Sequence, residues 1–302
     1  MTQSETHRSG FIAIVGPTNA GKSTLLNRML GQKVSIVSAK QQTTWHGVRG
    51  VLRRPNIEMV FTDTPGFQRH SERVARLLNR VAERHALDSE QQLWMFDVSN
   101  PTALRQLEAL KSKIEGIGTA ENRVVALNKI DKVPKPSLLP LMAAFAETKL
   151  FRTVIPISSQ SGDNITALLT ELEGPLPEGP AMYPGDAITD RSPHFRISEL
   201  VREKVYQYTN EEIPYSVWVN VEHENNEGRV PSFHVTLHVD SASRRGILIG
   251  RGGDKLKAIG TAARREVEKL VGKQVCLKLF VHVDEGWKDD SRKLAAYLEM
   301  GE

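Results

Sequence analysis

The 302-residue chain is 39% hydrophobic and 25% charged with a net charge of +4, the make-up of a globular protein long enough to bury a core and divide into two domains. No stretch reaches the roughly 20 apolar residues of a membrane span, and the polar opening Met1 to Arg8 has no apolar stretch behind it, so a cytoplasmic location is expected. The single cysteine, Cys276, excludes an internal disulfide and a cysteine-built metal centre, and reads as a structural residue.

The first apolar run, Phe11 to Val15, leads into Gly16, Pro17, Thr18, Asn19, Ala20, Gly21, Lys22 and Ser23, which fit G-x-x-x-x-G-K-[ST]. Glycines at both ends let backbone N–H groups turn inward toward an anion, and the helix expected to follow presents its N-terminus to the same point. Lys22 supplies charge for β- and γ-phosphates, and Ser23 a hydroxyl for Mg²⁺. Strands are expected at 11–15, 47–53, 57–62, 93–98, 123–127 and 153–157, with helices at 22–31, 71–87, 101–115, 136–148 and 164–173. Such alternation predicts a mostly parallel sheet with helices on both faces, whose ligands bind at the carboxyl ends of the strands.

The remaining motifs fall at those ends. Between the phosphate loop and the 57–62 strand, Gln41 to His46 is a polar segment in which a threonine would join Mg²⁺ only while a γ-phosphate is present; Thr44 is preferred over Thr43. Asp63-Thr64-Pro65-Gly66 places a carboxylate near Mg²⁺ and the Gly66 N–H near a γ-phosphate. Asn128-Lys129-Ile130-Asp131 concerns the base: guanine offers N1–H and N2–H₂ as a donor pair that one carboxylate, Asp131, can accept, and adenine lacks that edge. Asn128 and the Lys129 stem would brace this loop, and Ser158-Ser159 after the last strand would complete the base site.

In this order and spacing the motifs resemble the Era family of translation-factor-related GTPases, over nearly the whole chain. The resemblance implies a P-loop GTPase domain over 9–173, a proline-rich linker over 174–193 and an RNA-binding module over 194–302. It implies Mg²⁺ held by Ser23, Thr44 and Asp63, with Lys22, Thr44 and Gly66 taking part in GTP hydrolysis. The sequence departs from the family in Trp45, where an arginine is common, and Ser159, where an alanine is usual. Ras-type GTPases carry a water-orienting Gln directly after D-x-x-G, but Phe67 stands there and Gln68 follows one residue late. Intrinsic hydrolysis is expected on the order of 10⁻⁴ to 10⁻² s⁻¹. Related GTPases lacking the Gln often hold K⁺ with an asparagine in the phosphate loop, and Asn19 matches that position.

Residues 174 to 193 contain five prolines and mark the domain boundary. Beyond them, a helix is expected over Arg191 to Asn210, strands over Tyr215 to Glu222 and Ser232 to Val239, a helix over Asp254 to Val271, and a strand over Gln274 to Val283. Before the last helix lies Gly250-Arg251-Gly252-Gly253, and from Arg244 to Lys278 the net charge is +7, a local basic footprint. Helix, strand, strand, G-x-x-G, helix, strand resembles a type II K-homology domain of the α+β class, which clamps about four unpaired nucleotides. The resemblance assigns RNA contact to Ile249, Gly250, Arg251, Gly252, Gly253, Lys255, Lys257 and Arg264, with an apolar groove from Ile247, Ile249, Leu256 and Ile259. Asp289 and Asp290 read only as a helix start.

The resemblance further implies small-subunit (16S-type) ribosomal RNA near its 3′ end and the 30S subunit as partners, a monomer, and a peripheral membrane pool. A scaffold whose RNA contact is the function and whose hydrolysis is incidental is the competing reading, and an ATP-using phosphotransferase is disfavoured by Asn128 to Asp131.

Overall fold

The computed structural model describes residues 7–38, 40, 42–68, 73–210, 212–290, 292–294 and 297. Gln41 and the first two residues of the helix expected at 71–87 lie outside them. The chain forms two compact units, one of residues 1–35 and 44–190, the other of residues 36–43 and 191–302.

The first unit contains β1 (Arg8–Val15), α1 (Lys22–Leu30), β2 (Val48–Arg54), β3 (Ile57–Asp63), α2 (Arg73–Leu87), β4 (Gln91–Asp97), α3 (Ala103–Glu115), β5 (Arg123–Asn128), α4 (Lys135–Glu147), β6 (Thr153–Pro156) and α5 (Ile165–Glu173). The sheet order is β2-β3-β1-β4-β5-β6, parallel throughout except for β2. The central strands are apolar at consecutive positions because both faces are covered. In β1, Ile12 and Ile14 point to a core shared with Leu25, Leu26, Leu168 and Leu172. Ala13 and Val15 point to the other core, with Ala82, Leu107, Ile114 and Phe145. The mostly parallel sheet with two helical layers is the architecture expected from the alternation.

The proline-rich segment is part of this unit as far as Asp190. Ser9 N–H and Oγ–H donate to the carbonyls of Pro177 and Pro180 at 3.1 and 2.8 Å, and Val51 N–H donates to Ile188 O at 2.9 Å. Arg53 donates to the carbonyls of Tyr183, Pro184 and Ala187. Glu58, fully buried in β3, accepts from Met182 N–H at 2.6 Å, Tyr183 N–H at 3.2 Å and Arg53 Nε at 2.9 Å. The segment therefore covers edge strand β2, whose backbone groups would otherwise offer a template for association.

The second unit contains α6 (Pro193–Tyr208), β7 (Val217–Asn225), β8 (Ser232–Val239), α7 (Ala242–Ile249), α8 (Asp254–Val271) and β9 (Cys276–Val283), with sheet order β7-β8-β9. Strand β7 is antiparallel to β8 and β9 is parallel to it. Helices α6 and α8 bury Ile197, Val201, Val205, Ile259, Ala263 and Val267 against one sheet face. Helix α7 is an addition to the expected order: Ser241 caps it, accepting from Arg244 N–H, and its glycine-interrupted, mostly exposed sequence carries little helical periodicity. Asp290 accepts from Arg292 N–H at 2.8 Å, so the helix-start signal operates as read. Ile259 is a correction: it is fully buried in the core rather than open to the groove. Cys276 is exposed, because strand alternation turns it away from the helices.

Residues 36–43 belong to this unit through α6. Arg202, fully buried, donates from Nη2 to Thr43 O at 2.6 Å and closes a two-pronged pair with Glu199 at 2.6 Å on each oxygen. Tyr206 Oη–H donates to Gln42 O at 2.9 Å, and Lys40 Nζ donates to Tyr206 O at 2.5 Å, within the C-terminal turn where carbonyls lack helical partners.

Glu58→Ala is expected to destabilise the first unit by about 2–3 kcal/mol, because Arg53 and two backbone N–H groups lose their acceptor. A urea titration followed by tryptophan fluorescence measures this, and an unchanged midpoint would show that the 174–190 segment is not held through Glu58.

Candidate functional site

The carboxyl ends of β1, β3, β4 and β5 and the segment after β6 bring the first unit's motifs to one rim. The phosphate loop sits between β1 and α1. Gly21 has φ +97°, and a Cβ there would lie 2.3 Å from the Asn128 amide nitrogen, so only glycine fits between the two motifs. Gly66 is equally constrained, since a Cβ would lie 2.6 Å from Thr18 Cα. Phe67 N–H donates to Gly16 O at 3.0 Å, holding the D-T-P-G turn against the loop.

Three hydroxyls converge on Asp63. Its Oδ2 accepts from Ser23 at 2.6 Å, Ser35 at 2.7 Å and Thr44 at 3.4 Å, and Ser23 and Thr44 lie 3.1 Å apart. Thr44 rather than Thr43 reaches this cluster; Thr43 Oγ1–H donates to Lys40 O. Ser35 was not legible as a site residue. It is placed by Asn27, whose Oδ1 accepts from Val34 N–H and Ser35 N–H and whose amide donates to Ser35 O. Asp63 is fully buried and its Oδ1 has no partner among the described residues. Burial raises its pKa above the usual carboxylate range, partly offset by Lys22 and the three hydroxyls. Hard oxygen donors around an unpartnered buried carboxylate oxygen fit a small divalent cation such as Mg²⁺.

Lys22 is buried, and its Nζ donates to the carbonyls of Pro17 at 2.9 Å and Gly16 at 3.3 Å. Burial lowers its pKa to about 8, with Asp63 acting in the opposite sense. Lys22 and Asp63 thus each lack the full counter-charge their buried charged forms require, which a phosphate and a cation would supply.

The base-side loops are tied together by Asn128. Its amide nitrogen donates to Ala20 O at 2.8 Å, while its Oδ1 accepts from Ser159 N–H at 2.9 Å and Ser159 Oγ at 3.0 Å. The alanine usual at position 159 could supply the backbone bond, so serine adds one hydroxyl bond. Ser158 Oγ–H donates to Asp131 Oδ1 at 2.6 Å, and Ile130 N–H donates to Ile157 O. Lys129, at φ +70°, donates to Asn19 O at 2.9 Å and Asp97 Oδ2 at 2.6 Å. Asp97 and Arg28, which donates to Ser159 O at 3.2 Å, are further braces that carried no motif of their own. Thr64 Oγ1–H donates to Ile14 O at 2.8 Å. Phe67 is buried and stacks on Trp94 with ring centroids 5.6 Å apart, so it cannot orient water, and Gln68 is clamped through its backbone by Asn79. Trp45 is buried.

In the second unit, Gly250, Gly252 and Gly253 have φ of +77°, +60° and +87°, with Arg251 exposed between them. A cleft of about 360 Å³ is lined by Gly253, Leu256, Lys257, Arg264, Leu277 and Leu279, among others. Lys255 packs beneath Gly250, Ile249 is half-buried and Ile247 is exposed; these three do not line the cleft.

Residues 11–129 match the family model described as a 50S ribosome-binding GTPase, and residues 212–288 match that of the KH domain. The GTPase Era of Geobacter sp. strain M21 is 40% identical over 294 residues, covering 96% of this chain and 97% of that one. A variant of Aquifex aeolicus Era bound to GDP·AlF₄⁻ superposes with a TM-score of 0.90 at 32% identity, covering 98% of this chain and all of that one. Era in complex with MgGDPNP and nucleotides 1506–1542 of 16S ribosomal RNA superposes with a TM-score of 0.91 at 32% identity and the same coverage. Agreement of this extent, across both units and the order of every motif, means that the chain belongs to the Era family: it is a GTPase whose P-loop domain is joined to a K-homology domain.

Proposed function

We propose that this GTPase is a switch that binds small-subunit ribosomal RNA near its 3′ end and assists maturation of the 30S subunit. The observation that carries the reading is the break in the chain's allegiance after Thr43. Its carbonyl is held by Arg202 in the second unit, while the next residue, Thr44, reaches Ser23 and Asp63 in the first. A ligand that draws Thr44 inward must act on a segment anchored to α6, so nucleotide state and the K-homology unit share one backbone. The related Era complex that contains both MgGDPNP and 16S ribosomal RNA supports the choice of RNA.

In this reading the phosphate-loop N–H groups and Lys22 bind the phosphates, and Asp131, oriented by Ser158, accepts the guanine N1–H and N2–H₂ pair. Ser23, Thr44 and Asp63 would hold Mg²⁺, which when bound neutralises charge on the β- and γ-phosphate oxygens. Gly66 would direct its N–H to the γ-phosphate. Water attack gives GDP and inorganic phosphate, and with Phe67 buried no side chain there orients the water, which accounts for slow turnover. Asn19 at φ +61° is our candidate for a K⁺ ligand. RNA would lie in the groove between the glycine loop and Leu277/Leu279, with Lys257 and Arg264 on its phosphates. The same reading includes a cytoplasmic monomer with a peripheral membrane pool. No helix among the described residues is long and apolar enough to cross a membrane.

Asp131→Asn should move preference from GTP to XTP by at least a hundredfold, measured by competition for a fluorescent nucleotide; unchanged GTP affinity would break the base assignment. Hydrolysis should be several-fold faster in KCl than in NaCl at equal ionic strength, and Asn19→Ala should erase the difference; equal rates in the two salts would remove K⁺ from the mechanism. RNA ending in the 3′ sequence of small-subunit ribosomal RNA should bind more tightly with a GTP analogue than with GDP, and lose binding on Arg251→Asp with Gly252→Asp. Equal affinity in both nucleotide states would favour the scaffold reading.

A further inference from the structure

Strand β9 has two faces of different chemistry. Leu277 and Leu279 turn toward α8 and line the groove, while Lys278, Phe280 and His282 turn the other way and are exposed. Strand β9 ends the order β7-β8-β9, so the groove and the outward face share its free edge. Both main helices of this unit pack on the inner face. Phe280 is 49% exposed, a cost in apolar surface that the core does not require.

The outward face carries rings in contact across strands. His234 lies opposite Lys278, and its ring centroid is 5.8 Å from that of Phe280 and 5.6 Å from that of His223. His238 lies opposite His282 at 5.5 Å and stacks on Trp218 at 3.7 Å with 6° between the planes. Burial, followed by the neighbouring His282, lowers the His238 pKa to about 4, so near neutrality this ring is an uncharged stacking surface. Rings standing on an open sheet are what unpaired bases stack on, because every base has a π-face and the strands hold the rings at fixed spacing. Base-paired RNA keeps those faces covered.

We propose that the outward face of β7-β8-β9 is a second site for single-stranded RNA, with bases stacked on Phe280, His234 and His282 and a phosphate on Lys278. It rests on the reading of the groove as an RNA site, with which it is continuous across β9. A K-homology groove holds about four nucleotides, whereas the RNA bound by the related Era spans nucleotides 1506–1542. Unpaired nucleotides beyond the groove pass over the β9 edge and reach Lys278 and Phe280 within one residue of Leu277 and Leu279.

The test is fluorescence anisotropy on the full chain with Mg²⁺ and a GTP analogue, using an RNA of about five nucleotides that fills the groove and one of about 14 unpaired nucleotides containing it. His234→Ala with Phe280→Ala should weaken the longer RNA by about tenfold or more and leave the shorter one unchanged. Lys278→Gln should lower the salt dependence for the longer RNA by about one phosphate contact. Phe280→Leu, which keeps an apolar side chain on the strand, should weaken the longer RNA as well, and thermal unfolding confirms that it folds. Affinity for the longer RNA within twofold of the parent in these variants overturns the proposal, as does equal binding of both RNAs by the parent. If the parent binds neither RNA, the groove reading itself is wrong and the second site falls with it.

Discussion

The first unit's functional rim depends on a buried carboxylate at the end of β3. Asp63 is shielded from water and accepts from three hydroxyls contributed by the start of α1 and two points in the segment that follows it. A charge so placed is costly unless its oxygens are satisfied. Ser35 and Thr44 meet this demand, and in doing so set the path of the chain between α1 and β2. The Asn27 amide reinforces that path through three backbone groups. The same residues that stabilise the loop thereby present a binding site for a divalent cation.

The base side uses another economy of parts. Asn128 joins the phosphate loop to the segment after β6, and Lys129 joins it to the end of β4 through Asp97. Phosphate and base sites are thus braced by side chains bonded to main-chain groups of neighbouring loops, a placement tighter than exposed loops achieve alone. Gly21 and Gly66 permit this because their neighbours approach to distances that a Cβ would block. In the second unit, buried Arg202 plays the corresponding part, tying residues 36–43 to α6 with its charge balanced by Glu199.

Much of this was legible in the residue order. The alternation of apolar strands and helical segments predicted the mostly parallel sheet, because a strand covered on both faces must be apolar at consecutive positions. The phosphate loop, D-T-P-G and N-K-x-D signalled nucleotide chemistry because their glycines, carboxylates and amide occur at spacings that phosphate and guanine require. Less legible was α7, where a serine cap and short-range bonding form a helix with little periodicity. Ser35, Asp97 and Arg28 also escaped notice, because a serine, aspartate or arginine without a motif signals nothing until the fold brings its partner near.

The sequence by itself determined the class of chemistry, since ligand recognition resides in residue types at short, local spacings. Tertiary structure decided which of Thr43 and Thr44 reaches Asp63, that Ile259 belongs to the core, and that the proline-rich segment covers β2. It also decided that Leu277/Leu279 and Lys278/Phe280 face opposite ways into different surroundings. The physical reason is common to all four. Each depends on a partner distant in the chain, and contacts of that kind are set by how elements pack, a quantity that local composition does not encode.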